Sequence, residues 1–208
     1  MAAIAFFASL TYFLNPTDHR FLRNFCFFLF VNLMLEGGIN LLAANTIDNN
    51  RYASLSTVLD FTFYFYMLRA MVYRKRAKNT FMGLMVAYPL IALINIFFIQ
   101  RTTFHTITYS LGCLLIVASC IYYFWELFQQ NRSVTLGREP AFWICSGLLF
   151  YYACTFPIYG LTNLMSHLPK VILRNLYFIF ILLNIFQYLT FTIAYLCRVK
   201  TRKSMSSF

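Results

Sequence analysis

The sequence predicts an all-α, polytopic membrane protein: one bundle of seven transmembrane helices, N-terminus out and C-terminus in. Three observations carry this. Apolar residues make up 61% of the 208-residue chain and charged residues 11%, against roughly 25% charged in a globular domain. The apolar residues fall into runs near the length of about 20 that crosses a bilayer as a helix, and the mean hydropathy is +0.65. Lysine and arginine are abundant in every second break between runs and sparse in the others. A soluble domain of this size could not hide so much apolar surface, so lipid is the solvent for most of the chain.

The first span is expected at 2–14. It is short, about 20 Å as a helix, and lacks the basic leader and small-residue cleavage site of a signal peptide. Asn15-Pro16-Thr17-Asp18 is a turn with helix-start chemistry. The second span covers 21–43 and contains Glu36-Gly37-Gly38. The third, 54–73, is closed by Arg74-Lys75-Arg76-Ala77-Lys78. The fourth, 81–99, holds Pro89 as an expected kink. The fifth runs over 106–128, the sixth over 141–164 with Pro157 inside, and the seventh over 171–197. A basic tail, 198–208, follows. The whole reads as a single integral membrane domain, without soluble domain, linker, repeat or low-complexity segment.

Orientation follows from charge. With the tail inside, the inner segments and adjoining span ends hold Arg20, Arg23, Arg69, Arg74, Lys75, Arg76, Lys78, Arg132, Arg138, Arg198, Lys200, Arg202 and Lys203. The outer breaks hold only Arg51, Arg101, Lys170 and Arg174. Cytoplasmic loops carry such an excess of cations. The net charge of +11 is thus accounted for by topology, and nucleic acid is not an expected partner. The partner expected first is the lipid bilayer itself, of a bacterial inner (cytoplasmic) membrane.

Six cysteines, each in or at the end of an apolar run, form no CxxC pair and read as small buried hydrophobes. The 25 Phe and 15 Tyr read as lipid-facing and interfacial residues. His19, His105 and His167 fall in breaks or at span ends, and no HExxH exists, so neither a metal nor another cofactor is expected. There is no G-x-S-x-G, and no lysine stands between Lys170 and Lys200 to hold a retinal Schiff base.

The acids carry the remaining signal. Asp18, Asp48 and Glu139 lie in breaks. Glu126 and Arg69 lie near the inner ends of their spans and are expected either to pair or to leave Arg69 snorkelling alone. Asp60 lies well inside the third span, where a carboxylate costs on the order of 3 kcal/mol on insertion scales. Counting 1.5 Å per residue, Glu36 stands about 22 Å above the inner edge and Asp60 about 8 Å below the outer one. In a core of about 30 Å these are one depth. Asn32, Glu36 and Asn40 form a stripe at i, i+4 and i+8, and Thr57, Asp60 and Tyr64 form another. At matching depth the other spans offer Asn95, Ser110 with Cys113, and Thr155, with Asn184 and Gln187 deeper in the last. No basic residue shares that depth, and two like charges without a counter-ion are not both held ionised in a low dielectric. Two readings stand: an outer-half site for a proton, a cation or an amine-bearing ligand, or interhelical bonding by acids and amides.

Three stretches add a resemblance. Thr57-Val58-Leu59-Asp60-Phe61 opens an aromatic-rich span, Phe104-His105-Thr106 leads into the fifth, and Phe142-Trp143-Ile144-Cys145-Ser146-Gly147 opens the sixth. Together they resemble a group of uncharacterised small seven-span membrane proteins of Bacteroidetes-type bacteria, over about 50–198. In that group an acid, usually glutamate, occupies the position of Asp60. A glutamate early in its fifth span is absent here, where Gly112 or a neighbour stands. Its members are often encoded near sensor kinases, which implies a sensing or accessory role.

The function expected first is a sensory or signalling membrane module, with an outer-half polar site and basic inner loops that meet a separate cytoplasmic or membrane partner or anionic lipid. The alternative is a small transporter or channel subunit that uses Glu36 and Asp60 as coupling carboxylates. An enzymatic reading, lipid modification by the two carboxylates, ranks third.

Overall fold

A computed structural model describes residues 9, 20–44, 50–100, 104–129, 136–160 and 170–205. Among them the chain is all α. Six helices follow one another: α1 (Arg20–Ala44), α2 (Asn50–Met71), α3 (Lys75–Ile94), α4 (Thr106–Phe128), α5 (Pro140–Gly160) and α6 (Lys170–Met205). A π-helical turn, Asn95–Ile99, extends α3, and a 3₁₀ turn, Leu136–Arg138, precedes α5. Four stretches are long and apolar enough to cross a membrane: Lys75–Ile99, Thr106–Phe128, Pro140–Gly160 and Asn175–Cys197. The protein is therefore a multi-pass membrane protein. The expected first span lies outside the described residues except for Ser9, whose hydroxyl donates to Cys26 Sγ at 2.9 Å.

Side-chain contacts fix the helices as an up-and-down bundle. Met71 at the end of α2 meets Cys145 at the start of α5. Asn95, after α3, donates to Thr108 Oγ1 at the start of α4 at 3.0 Å. Tyr195 near the end of α6 donates to the Leu22 carbonyl at the start of α1 at 3.1 Å, and Phe25 packs edge-on to Phe191. The last helix thereby closes the bundle against the first. One end collects the start of α1, the α2–α3 and α4–α5 connections and the end of α6. Among the described residues, the cations assigned above to the inner side belong to that end or adjoin it, and it is called the basic end below.

α2 is not among the four most apolar stretches. Asn50, Arg51, Ser54, Ser56, Thr57, Asp60, Thr62 and Arg69 dilute it. It is held by protein: it packs against α1, α3 and α4, with Val58, Phe61, Tyr64, Phe65, Met67 and Leu68 buried. A helix whose polar groups meet other helices need not be apolar.

Two glycines permit close approach of neighbours. A Cβ at Gly112 of α4 would stand 2.8 Å from Tyr88 Oη and 2.9 Å from Phe61 Cζ. A Cβ at Gly147 of α5 would collide with Thr190 of α6. Small residues at such crossings let helices gain packing contacts, which replace the hydrophobic drive absent in lipid.

Candidate functional site

Away from the basic end, α1, α2, α4, α5 and α6 enclose a polar chamber of about 110 Å³. Asp60 lines it, with Asn32 of α1, Thr57 of α2, and Asn184 and Gln187 of α6. The remaining lining is aromatic: Phe61, Tyr64, Tyr109, Tyr151, Tyr152 and Tyr188. Helical spacing explains the convergence. Thr57, Asp60, Phe61 and Tyr64 share one face of α2, and Asn184, Gln187 and Tyr188 share one face of α6.

Asn32 Nδ2 donates to Asp60 Oδ1 at 2.7 Å. The register of α1 against α2 thus places Asn32 level with the acid. The reason lies in the start of α2. That helix begins at Asn50, four residues before the expected span, so Asp60 stands about 15 Å along it rather than 8 Å. Glu36 stands one turn beyond Asn32 on α1. The side chains of Glu36 and Asn40 lie outside the described residues.

Thr57 connects the chamber to the α3–α4 connection. Its Oγ1 donates to the Ser54 carbonyl at 2.8 Å and lies 3.1 Å from His105 Nε2. One hydroxyl proton cannot serve both: with that proton on the Ser54 carbonyl, the imidazole is the donor from Nε2 and Nδ1 carries none. Nδ1 is buried without a hydrogen-bond partner among the described residues. Burial pushes the imidazole down to about 4, because a charged ring cannot be solvated there.

The other residues expected at this depth lie apart from the chamber. Asn95 is buried, and its amide donates to Gln100 Oε1 at 2.9 Å and to Thr108 Oγ1 at 3.0 Å. Ser110 Oγ is buried and unpartnered among the described residues. Thr155 donates to the Tyr152 carbonyl at 3.4 Å and lies 3.9 Å from Cys113 Sγ. Hydropathy sets depth and not azimuth, so these three share the level of the site without facing it.

Glu126 and Arg69 were expected to pair or stand apart. The Glu126 carboxylate accepts the backbone N–H of Tyr73 at 3.1 Å and of Arg74 at 2.6 Å. These groups lead into α3, whose start has no side-chain cap of its own. An acid from α4 fills that role, where orphan N–H groups and the helix dipole favour negative charge. Arg74 completes the latch: Nη2 donates to Gln129 Oε1 at 2.6 Å, and the guanidinium lies 4.7 Å from the Trp125 ring centre. The Arg69 Nε is buried and unpartnered among the described residues.

The chamber brings together Asn32, Thr57, Asp60 and Tyr64 from the expected set. Composition alone had assigned its other tyrosines to lipid and interface. The signal available was their depth: Tyr109, Tyr151, Tyr152 and Tyr188 stand inside apolar runs, and a phenol there needs a polar neighbour. His105 carried a signal as well, as a lone titratable group beside the opening of a span. Among the described residues no group of three or more His, Cys, Asp or Glu is placed to hold a metal ion. No protein-family model, curated protein or solved structure matches the chain.

Proposed function

We propose that the protein is a sensory or signalling membrane module whose Asp60 chamber binds a small cation, an ammonium group foremost. The observation that carries this is the Asp60 carboxylate on the wall of a tyrosine-lined chamber. At about 110 Å³ it falls below the roughly 300–1,000 Å³ of pockets for whole organic ligands. It has room for a few waters at roughly 30 Å³ each, or for a cationic head. Among the described residues Asp60 is the one acid on its wall, which suits a monovalent charge, and phenol faces attract organic cations.

The other half of the bundle supports sensing over transport. Between the chamber and the basic end the core is Phe65, Leu68, Ile116, Cys120, Ile144 and Leu148, all fully buried or nearly so. Glu126, which would relay a cation there, is engaged by two backbone N–H groups. A path through this half would cross a close-packed apolar plug.

The proposal includes seven spans with the N-terminus out and C-terminus in, supported by cations gathered at one end. It also includes a bacterial inner membrane, the kinship suggested by the Phe142–Gly147 run, and a signalling partner or anionic lipid at the basic end. Single-cysteine labelling at Arg51 and Lys78 in intact cells tests the orientation: label at the first alone supports it, and label at the second alone reverses it. Equilibrium binding of radiolabelled methylamine to the purified protein, with and without Asp60→Asn, tests the site. Saturable binding lost in the variant supports the reading; binding unchanged by it defeats the reading.

A further inference from the structure

Asp60 lines a second cavity. A groove of about 330 Å³ runs between α1, α2 and α3, lined by Phe27, Phe28, Val31, Leu59, Phe63 and Met85 among others, with Asp60 in its wall. We infer that the ligand is a long-chain primary amine drawn from the bilayer: its ammonium meets Asp60, and its hydrocarbon chain lies in this groove. The inference rests on the chamber being a cation site and adds the class of molecule and the route of entry.

The groove is built for a chain. Phe28 and Phe63 stack at 3.9 Å and 2° to form a flat wall. Its two other polar side chains are engaged elsewhere. The Thr62 hydroxyl donates to the Val58 carbonyl at 2.7 Å, and Tyr66 Oη accepts from Asn24 at 2.6 Å. The charge that a head group would meet is therefore the carboxylate of Asp60. Phe27 and Leu59 are largely exposed, which on this face means exposure to lipid, so the groove opens where a bilayer amphiphile would be.

Charge complementarity narrows the class. Among the described residues, no Lys or Arg lines the chamber or the groove. A phospholipid would bring its phosphate beside a carboxylate with no cation to meet it, and a fatty acid would set carboxylate against carboxylate. A single-chain amine brings one positive charge and no negative one. The chamber by itself is too small for a whole amphiphile, whereas the groove alone reaches the size of an organic-ligand pocket.

The test uses the full chain in phosphatidylcholine nanodiscs, with empty discs to subtract partitioning. The probes are radiolabelled dodecylamine, methylamine and dodecanoate. Dodecylamine is expected to bind at least tenfold more tightly than methylamine, and dodecanoate not above the empty discs. Asp60→Asn should abolish binding of both amines. Val31→Trp, which fills the groove away from the chamber, should weaken dodecylamine at least tenfold and leave methylamine unchanged; Met85→Trp serves if that variant does not fold. Equal affinity for the two amines, both lost in Asp60→Asn, would overturn the lipid inference and leave the cation site standing. Dodecanoate binding as well as dodecylamine would overturn the charge argument and, with it, the inference. Absence of binding by either amine would overturn both the inference and the site.

Discussion

Asp60 and Glu126 are both carboxylates within the bundle, and their surroundings are opposite. Glu126 is 4% exposed, and its two oxygens each accept a backbone N–H. It behaves as part of the backbone, a cap supplied from a neighbouring helix. Asp60 is half-buried, accepts the side-chain amide of Asn32, and lines two cavities. The halves around them differ in the same way. The helices' shared core toward the basic end is buried and apolar, while the other half holds the polar chamber. An acid deep in a membrane protein therefore has meaning only with its neighbours: one acid fastens two helices, and the other faces space that a ligand can fill.

The glycines give the largest expected effects. Gly147→Ala drives a methyl into Thr190 and should destabilise the protein by about 3 kcal/mol, read from thermal unfolding in detergent. Gly112→Ala meets the edges of Phe61 and Tyr88, and Phe61 borders the chamber. That ring can yield into the void, so about 1 kcal/mol is expected. Equal losses would erase the distinction between the halves. Glu126→Ala strands two backbone donors and should lower stability by about 2–3 kcal/mol, with methylamine affinity of the folded protein unchanged.

The pH dependence probes the chamber side. The His105 imidazole is held at about 4 in the fold against about 6.5 unfolded. The unfolded chain therefore takes up the proton first as pH falls. Stability is full above pH 6.5, declines through the window from about 6.5 to about 4, and levels off below it, with about 2 kcal/mol lost between pH 7 and pH 5. His105→Gln should flatten that slope in denaturation curves taken across the window. The smallest effect on stability is expected at Asp60. Asp60→Asn retains an acceptor for Asn32 and should shift unfolding by less than about 1 kcal/mol while removing cation binding. A loss as large as that of Glu126→Ala would make Asp60 a second structural clasp.

Much of this was legible in the sequence. Apolar run length placed the helices, since lipid imposes one scale on every span. The fifth span, 106–128, coincides with α4, while α6 runs on through the basic tail to Met205. The period of the helix put Thr57, Asp60 and Tyr64 together. Register was harder, because a helix start depends on local capping and a shift of four residues moves an acid by one turn. That shift brings Asn32 level with Asp60. The partners of Glu126 were illegible in principle, since backbone N–H groups carry no letter in a sequence. Tyr109 and Tyr151 were hidden by their type, as phenols suit both an interface and an interior chamber.

The placement of α2 has a consequence for biogenesis. Its polar residues make it a weak substrate for insertion by hydrophobicity alone. α1 is synthesised before it and carries Asn32. α4, α5 and α6 follow and carry Tyr109, Tyr151, Asn184 and Gln187. The amide partner of Asp60 is therefore the first one translated, and the helical hairpin of α1 and α2 is the unit that can shelter the acid while the rest of the chain is still on the ribosome.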